Sequence, residues 1–341
     1  MTRVSVIIPT HNRSALLHEA ITSIQNQTYP NWEVIIVDDG SQPPVDSESL
    51  HKDFGSRIRV LRNKHAVKQA YARDQGVQVA TGEVVIHLDD DDLLAPNALE
   101  MGLAILEGDP SLELLYLNVK GFGKRATYFE KAQQQAMQKV LSQTGGHENK
   151  TGVVKFGPEL FVALLSSVPM AFQRSIEYRD TWHKVSALRR QVYMQDPDIP
   201  DEEQAMLRLR PPLRESEWAL YAAACCNTAL IKTPLYLQRC ETQGYFSIPL
   251  QRERAESSNI DIKMRLLQAA KKIAEFNPWI GEIRKSLASA YFNQAYFYFY
   301  NGRRLPAYRA LYHALKTRPT TSYVRFGIRM MLPRAIASDL S

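Results

Sequence analysis

Apolar positions in the first third of the chain gather in short runs separated by segments that are apolar at helical spacing. Val4-Ser5-Val6-Ile7-Ile8, Glu33-Val34-Ile35-Ile36-Val37, Ile58-Arg59-Val60-Leu61 and Glu83 to Leu88 have the length and β-branched content of strands. After the first run Leu16, Leu17, Ala20, Ile21 and Ile24 predict a helix, with Asn12 or Ser14 placed to cap it. Ala66 to Ala80 predicts another. Strands that alternate with helices favour a mostly parallel sheet covered on both faces, which is why the runs are nearly continuous in hydrophobicity.

Further along, Tyr128 to Leu141 reads as a polar helix and Gly145 to Lys150 as an exposed, mobile flap. From Asp261 the pattern is helical, broken at Asn277-Pro278, Asn301-Gly302 and Arg318-Pro319, and rich in aromatic residues from Tyr291 to Tyr300. Ala290 to Tyr300, Asn301-Gly302, Ala307 to Leu315 and Pro319 resemble one tetratricopeptide unit, with a weak second copy in Ile262 to Pro278. With fewer than three copies, an appended helical hairpin is expected rather than a solenoid. The division expected is an α/β domain over residues 1–255, made of halves 1–118 and 119–255, and a helical domain over 256–341.

The chemistry concentrates where strands end. Thr10 to Asn12 follow the first strand, Asp38 and Asp39 the second, and Asp89-Asp90-Asp91-Asp92 the fourth. Parallel topology brings such ends to one rim, where ligands of these sheets bind. Four adjacent carboxylates repel one another, and protons do not relieve them at neutral pH because free aspartate titrates near ~3.9. A divalent cation, Mg²⁺ or Mn²⁺, with a diphosphate completing its shell, suits these hard oxygen ligands. Taken alone, the run also fits a solvated acidic turn, or a cap formed by Asp91 or Asp92 ahead of a helix at Pro96 to Glu100. The shared rim favours the site.

Composition narrows the partners. Hydrophobic residues make up 45 % of 341, enough for about two domains with real cores. Cys225, Cys226 and Cys240 form no even framework, and neither a signal-peptide pattern nor a span of ~18 apolar residues is present. A soluble protein of a reducing cytoplasm is therefore expected. The net charge of +6 comes from basic residues spread through the second half rather than interleaved with aromatics in one block, which argues against nucleic acid. The most basic stretch, from Arg303 to Arg334, is either a solvated helix face or a peripheral contact with anionic lipid at the inner face of the cell membrane.

Several segments, in order, resemble the family-2 glycosyltransferases, inverting enzymes of GT-A fold that take a sugar from a nucleotide diphosphate donor. These are Val4 to Arg13 (VSVIIPTHNR), Gln27 to Glu33 (QTYPNWE), Val37 to Ser41 (VDDGS), Ala72 to Gly76 (ARDQG, similar to ARNxG), and His87 to Asp92 with its D-x-D motif. The match is close over about 115 residues and looser to about 250.

The resemblance implies that Pro9, Thr10, His11 and Asn12 line the nucleotide and that Asp39 accepts from its base. It puts Arg73 near the diphosphate or sugar, Asp89 and Asp90 toward ribose and donor sugar, and the metal on Asp91 and Asp89. Arg214 to Leu220 (RESEWAL) resembles the segment that carries the catalytic base, which would be Glu217, with Glu215 the rival. Leu235 to Arg239 resembles a segment that follows the base, where Arg239 could equally be structural. His11, Asp74, Glu217 and Glu241 depart from the family's usual residues. The activity implied is a metal-dependent hexosyl transfer from a UDP-sugar to a glycan, lipid-linked or other hydroxyl acceptor in polysaccharide or glycoconjugate synthesis. Two rivals stand beside it: an inactive GT-A-like scaffold that holds a protein partner by its helical tail, and a nucleotidyltransferase, against which the absence of an early Gly-rich loop with a lysine counts.

Overall fold

The apolar runs at the start of the chain form β1 (Val4–Thr10), β2 (Trp32–Asp38), β3 (Ile58–Arg62) and β4 (Val84–His87), all mutually parallel. Every residue of β1 and β2 is buried, as expected for strands covered on both faces. The structure is a computed structural model, which describes residues 1–67, 69–194, 215–241 and 249–331.

Helices α1 (Ser14–Gln25), α2 (Ser47–Phe54) and α3 (Gln69–Val79) connect these strands. The expected cap is not used: Arg13 precedes α1 without a side-chain capping bond, and Asn12 instead adopts φ 57°. Asparagine tolerates that left-handed conformation. It lets the Asn12 side chain accept from Gln42 N–H at 2.7 Å and join the loops after β1 and β2. In α3, a Cβ on Gly76 would sit 2.4 Å from Cγ2 of Ile7, so the glycine permits close packing of helix on strand.

After β4 come β5 (Leu93–Leu94), α4 (Ala98–Glu107), β6 (Leu114–Phe122), α5 (Ala126–Thr144), β7 (His147–Glu148), β8 (Val153–Phe156), α6 (Glu159–Ser166), β9 (Ser175–Tyr178), α7 (Arg179–Met194), α8 (Glu215–Cys225) and β10 (Thr228–Arg239). Asn97, not Asp91 or Asp92, precedes α4. The strand order is β3-β2-β1-β4-β9-β6-β10-β8-β7, with β5 paired to β10. The sheet is mixed: β9 runs antiparallel to both β4 and β6. The expected flap at Gly145 to Lys150 is partly a hairpin strand, because β7 pairs with β8.

At the sheet edge away from the rim, Glu33 is buried beneath the turn before β4. It accepts from Ser5 Oγ at 2.5 Å and from the backbone and hydroxyl of Thr81 at 2.7 and 2.8 Å. Burial alone would raise its pKa, but these bonds and Arg3 hold the carboxyl below its ordinary range.

A second unit holds α9 (Pro249–Ala269), α10 (Ile280–Tyr300), α11 (Arg304–Thr317) and α12 (Thr321–Met331), with a 3₁₀ turn at Asn277–Trp279. Helix α9 runs through the expected boundary at 255/256. Ala295, Ala307 and Ala310 let α10 and α11 approach closely, and Phe326 and Met330 of α12 complete that core. Gly302 takes φ 76° in the turn between α10 and α11. Arg303 reaches back to both oxygens of Glu253 on α9 at 2.8 Å.

Candidate active site

Beside β1 the strand order reverses direction: the chain first winds outward to β2 and β3, then returns to β4 on the other side. Sheets of this kind open a crevice at such a point, outside the strand C-termini. Here Thr10, at the end of β1, donates from Oγ1 to Asp90 Oδ2 at 2.7 Å, and its carbonyl accepts from Asp39 N–H at 2.9 Å. Three polar clusters distant in sequence thus meet at one rim. His11 is exposed, with Nδ1 2.8 Å from the Asp39 carbonyl oxygen and Nε2 3.0 Å from Asn12 Nδ2. Pro9 is buried in β1 behind them. Asp39 Oδ1 accepts from Asn63 Nδ2 at 3.0 Å and Val67 N–H at 2.7 Å, which orders the segment leading to α3.

The aspartate run is neutralised differently from the expectation. Arginines supply much of the positive charge: Arg73 and Arg174 bind the two oxygens of Asp89 at 2.5 and 2.8 Å, and Arg13 reaches Asp90 at 3.1 Å and Asp91 at 2.9 Å. Asp89 is buried enough that desolvation would raise its pKa, but Arg174 and Arg73 hold it at about 2. Desolvation, then the neighbouring Asp89 charge, pushes Asp92 up to about 7. Electrostatics alone therefore does not demand a metal.

The donor set nevertheless fits one. Carboxylate oxygens of Asp89, Asp91 and Asp92 lie within 4.8 Å of one another, and Asp92 Oδ2 is a buried oxygen without a hydrogen-bond partner among the described residues. These are hard ligands, and a cation would relieve the raised proton affinity of Asp92.

Strand β10 braces the run from below. Its pairing with β6 slips around Pro234, a residue suited to such an irregularity, before it continues toward the rim. The Tyr236 hydroxyl accepts from Asp89 N–H at 3.1 Å. Arg239 donates its N–H to Asp92 at 2.8 Å and its Nε–H to the Asp91 carbonyl at 2.8 Å, while its guanidinium pairs with Glu19 at 2.6 Å. Its contacts are thus with the loop's own backbone and carboxylates. Glu241 is exposed beside Gly123.

Glu217 belongs to a different cluster. It is 0 % exposed on α8, and its oxygens accept from Tyr221 at 2.7 Å and Tyr193 at 3.1 Å. Buried Arg189 sits in this cluster. Desolvation lowers its pKa, against the charges of Glu217 and Asp74, so Asp74, next to Arg73, shares a cation's field with Glu217. The side chain of Glu215 lies outside the described residues.

A ring stack joins the two clusters: His87 on Trp182 at 4.4 Å, and Trp182 on Trp218 at 4.2 Å. His87 Nε2 is 3.9 Å from Glu177 Oε1, yet this is not an ion pair at neutral pH. Burial lowers the pKa of His87 well below its usual value and pushes Glu177 up to about 8, leaving both uncharged. Arg174, Arg189 and Tyr193 carry no motif in the sequence, whereas Arg13 and Tyr236 lay within recognisable segments without being singled out.

Residues 5–155 match the family model described as Glycosyl transferase family 2. The chain is 36 % identical over 104 residues to the UDP-Glc:α-D-GlcNAc-diphosphoundecaprenol β-1,3-glucosyltransferase WfgD of Escherichia coli, a match covering 30 % of this chain and 40 % of that protein. It is 41 % identical over 102 residues to the GalNAc(5)-diNAcBac-PP-undecaprenol β-1,3-glucosyltransferase of Campylobacter jejuni, covering 29 % and 33 %. These matches span less than half the length of either relative. S. aureus TarS 1–349 in complex with UDP-GlcNAc shares the fold with TM-score 0.55 and 16 % identity, over 93 % of this chain and 82 % of that one. Mannosyltransferase PcManGT from Pyrobaculum calidifontis, in complex with GDP-Man and Mn²⁺, does so with TM-score 0.50 and 15 % identity, over 98 % and 81 %.

Proposed function

Because this chain belongs to glycosyl transferase family 2 through residues 5–155, we propose that it transfers a sugar, with inversion, from a UDP-sugar to a hydroxyl of a lipid-linked glycan. The observation that carries this reading is the carboxylate cluster of Asp89, Asp91 and Asp92 beside Thr10 and Asp39 at the strand C-termini. The family match and the undecaprenol-linked acceptors named for two relatives support the donor and acceptor classes.

Thr10, His11, Asn12 and Asp39, backed by Pro9, form the wall for base and ribose. Arg73 and Asp89 orient the diphosphate and sugar, and Asp90 fixes the rim through Thr10. Asp91, Asp89 and Asp92 would hold Mn²⁺ or Mg²⁺, which when bound offsets charge on the departing diphosphate. In the transfer, the acceptor oxygen bonds to the anomeric carbon, the bond from that carbon to the diphosphate breaks, and the acceptor proton passes to a base on α8. Glu217 is our candidate. For it to act, the acceptor hydroxyl takes the place of the Tyr193 hydroxyl, the longer of its two hydrogen bonds.

Donor turnover and nucleotide binding test this together. A thermal-shift screen with Mn²⁺ should show stabilisation by UDP or a UDP-sugar, since a ligand of the native state raises its stability. Glu217→Gln should leave that shift unchanged and slow transfer by about 10²–10⁴-fold. If Glu215→Gln slows transfer and Glu217→Gln does not, the base is Glu215. The complete burial of Glu217 is the observation that favours the rival, a non-catalytic GT-A domain. Protein inert toward every nucleotide sugar in the presence of Mn²⁺ and Mg²⁺ would establish that rival.

A further inference from the structure

From the helical unit we infer that this chain docks on an anionic lipid surface through the outer faces of α11 and α12. Residues 283–331 contain nine Lys and Arg and no Asp or Glu, whereas the rest of the chain has more acidic than basic residues. Such segregation is an electrostatic footprint for a polyanionic partner.

The apolar pattern selects the partner. On α12 the side buried in the unit's core carries Phe326 and Met330. Val324, Ile328 and Met331, at spacing i, i+4, i+7, are 49, 56 and 76 % exposed, with exposed Arg325 beside them. On α11, Leu305 and Tyr312 are 63 and 60 % exposed, and exposed Arg309 and Lys316 follow the same helical spacing. Tyr296 and Tyr300, half-exposed on α10, lie against each other with tilted rings, centroids 4.4 Å apart. Arginine, tyrosine and aliphatic side chains on one face are the composition of an interfacial helix, whose apolar side enters the headgroup boundary while its cations hold anionic headgroups. A nucleic acid would satisfy the arginines and leave the aliphatic stripe in water. No described helix is long and apolar enough to cross a membrane, so the mode is lateral docking.

This inference needs nothing from Asp91 or Glu217 and stands apart from the catalytic reading. The test is flotation of the full chain with vesicles of phosphatidylcholine alone and of phosphatidylcholine mixed with phosphatidylglycerol. Wild-type protein should float with the mixed vesicles only, and less as salt rises. The triple variant Val324→Ser, Ile328→Ser, Met331→Ser should bind about tenfold or more weakly. Arg309→Gln, Lys316→Gln and Arg325→Gln should each weaken binding about fivefold. All these side chains are exposed, so far-UV circular dichroism and melting temperature should not change. Asp91→Ala should float like wild type even where it abolishes transfer. Absence of flotation overturns the inference, as does flotation that the serine variant leaves intact. Self-association or oligonucleotide binding in place of flotation would assign the face to a second copy or to nucleic acid instead.

Discussion

At Asp89, two arginines from different parts of the chain outweigh desolvation and reduce the proton affinity of the carboxylate, while at Asp92, three residues on, desolvation and the Asp89 charge outweigh what Arg174 and the Arg239 N–H supply. Arg174 is the pivot, at 2.8 Å from Asp89 and 3.7 Å from Asp92. Replacing it by leucine leaves buried carboxylates uncompensated, so Arg174→Leu should cost about 3–5 kcal/mol of unfolding free energy in a urea titration. Asp91 is the most open of the three, with its side chain 35 % exposed. Asp91→Ala should therefore change stability by under about 0.5 kcal/mol, while Mn²⁺-dependent nucleotide binding disappears in the thermal-shift assay. Those contrasting outcomes separate a binding role from a structural one. The carboxylates were legible in the sequence as a run; their arginine partners were not, since Arg174 lies 85 residues from Asp89.

Helix α3 shows how one element sets the site. It carries Arg73 toward Asp89 on one turn and lays Gly76 against Ile7 on the next. A methyl group at Gly76 would force the helix off β1, so Gly76→Ala should destabilise by about 1–3 kcal/mol and also weaken donor binding because Arg73 moves with the helix. Ile7→Val in the same chain removes Cδ1 but keeps a branched Cγ2, so it should restore little, whereas Ile7→Ala should restore part of the binding. The glycine was legible within ARDQG as part of a family pattern, and the reason for it appears only when the helix meets the strand. Antiparallel β9 was not legible at all, because four residues offer too short a period to reveal direction.

Across the whole molecule, stability depends on pH through buried carboxylates of opposite sense. Glu33 is held below the ordinary value of 4.5, so its stabilising contribution is full above that value and is lost as pH falls through its folded pKa. Glu177 has the reverse sign. It stays protonated in the fold up to about 8 but ionises near 4.5 when unfolded, so the fold weakens as pH rises between those limits. Glu177→Gln abolishes that loss. Relative to wild type, the variant should gain about 1.4 kcal/mol per pH unit across the window, with the difference vanishing at its acidic end. Chemical denaturation at a series of pH values measures this slope, and a flat difference would mean that Glu177 is ionised in the fold.

Periodicity and hydropathy are local properties, and they were enough to determine four parallel strands, two of the three helices between them (α2 was not among those expected), the helical second unit and the gathering of Thr10, Asp39 and the aspartate run at one rim. Tertiary structure alone decided which cations neutralise that run, how Tyr236 and Arg239 brace it from 147 positions further along the chain, and that Glu217 lies behind two tyrosines. Those outcomes depend on which distant elements share a dielectric environment and a hydrogen-bonding neighbourhood. No window along the chain encodes that, because the partners approach one another only when the sheet closes over its core.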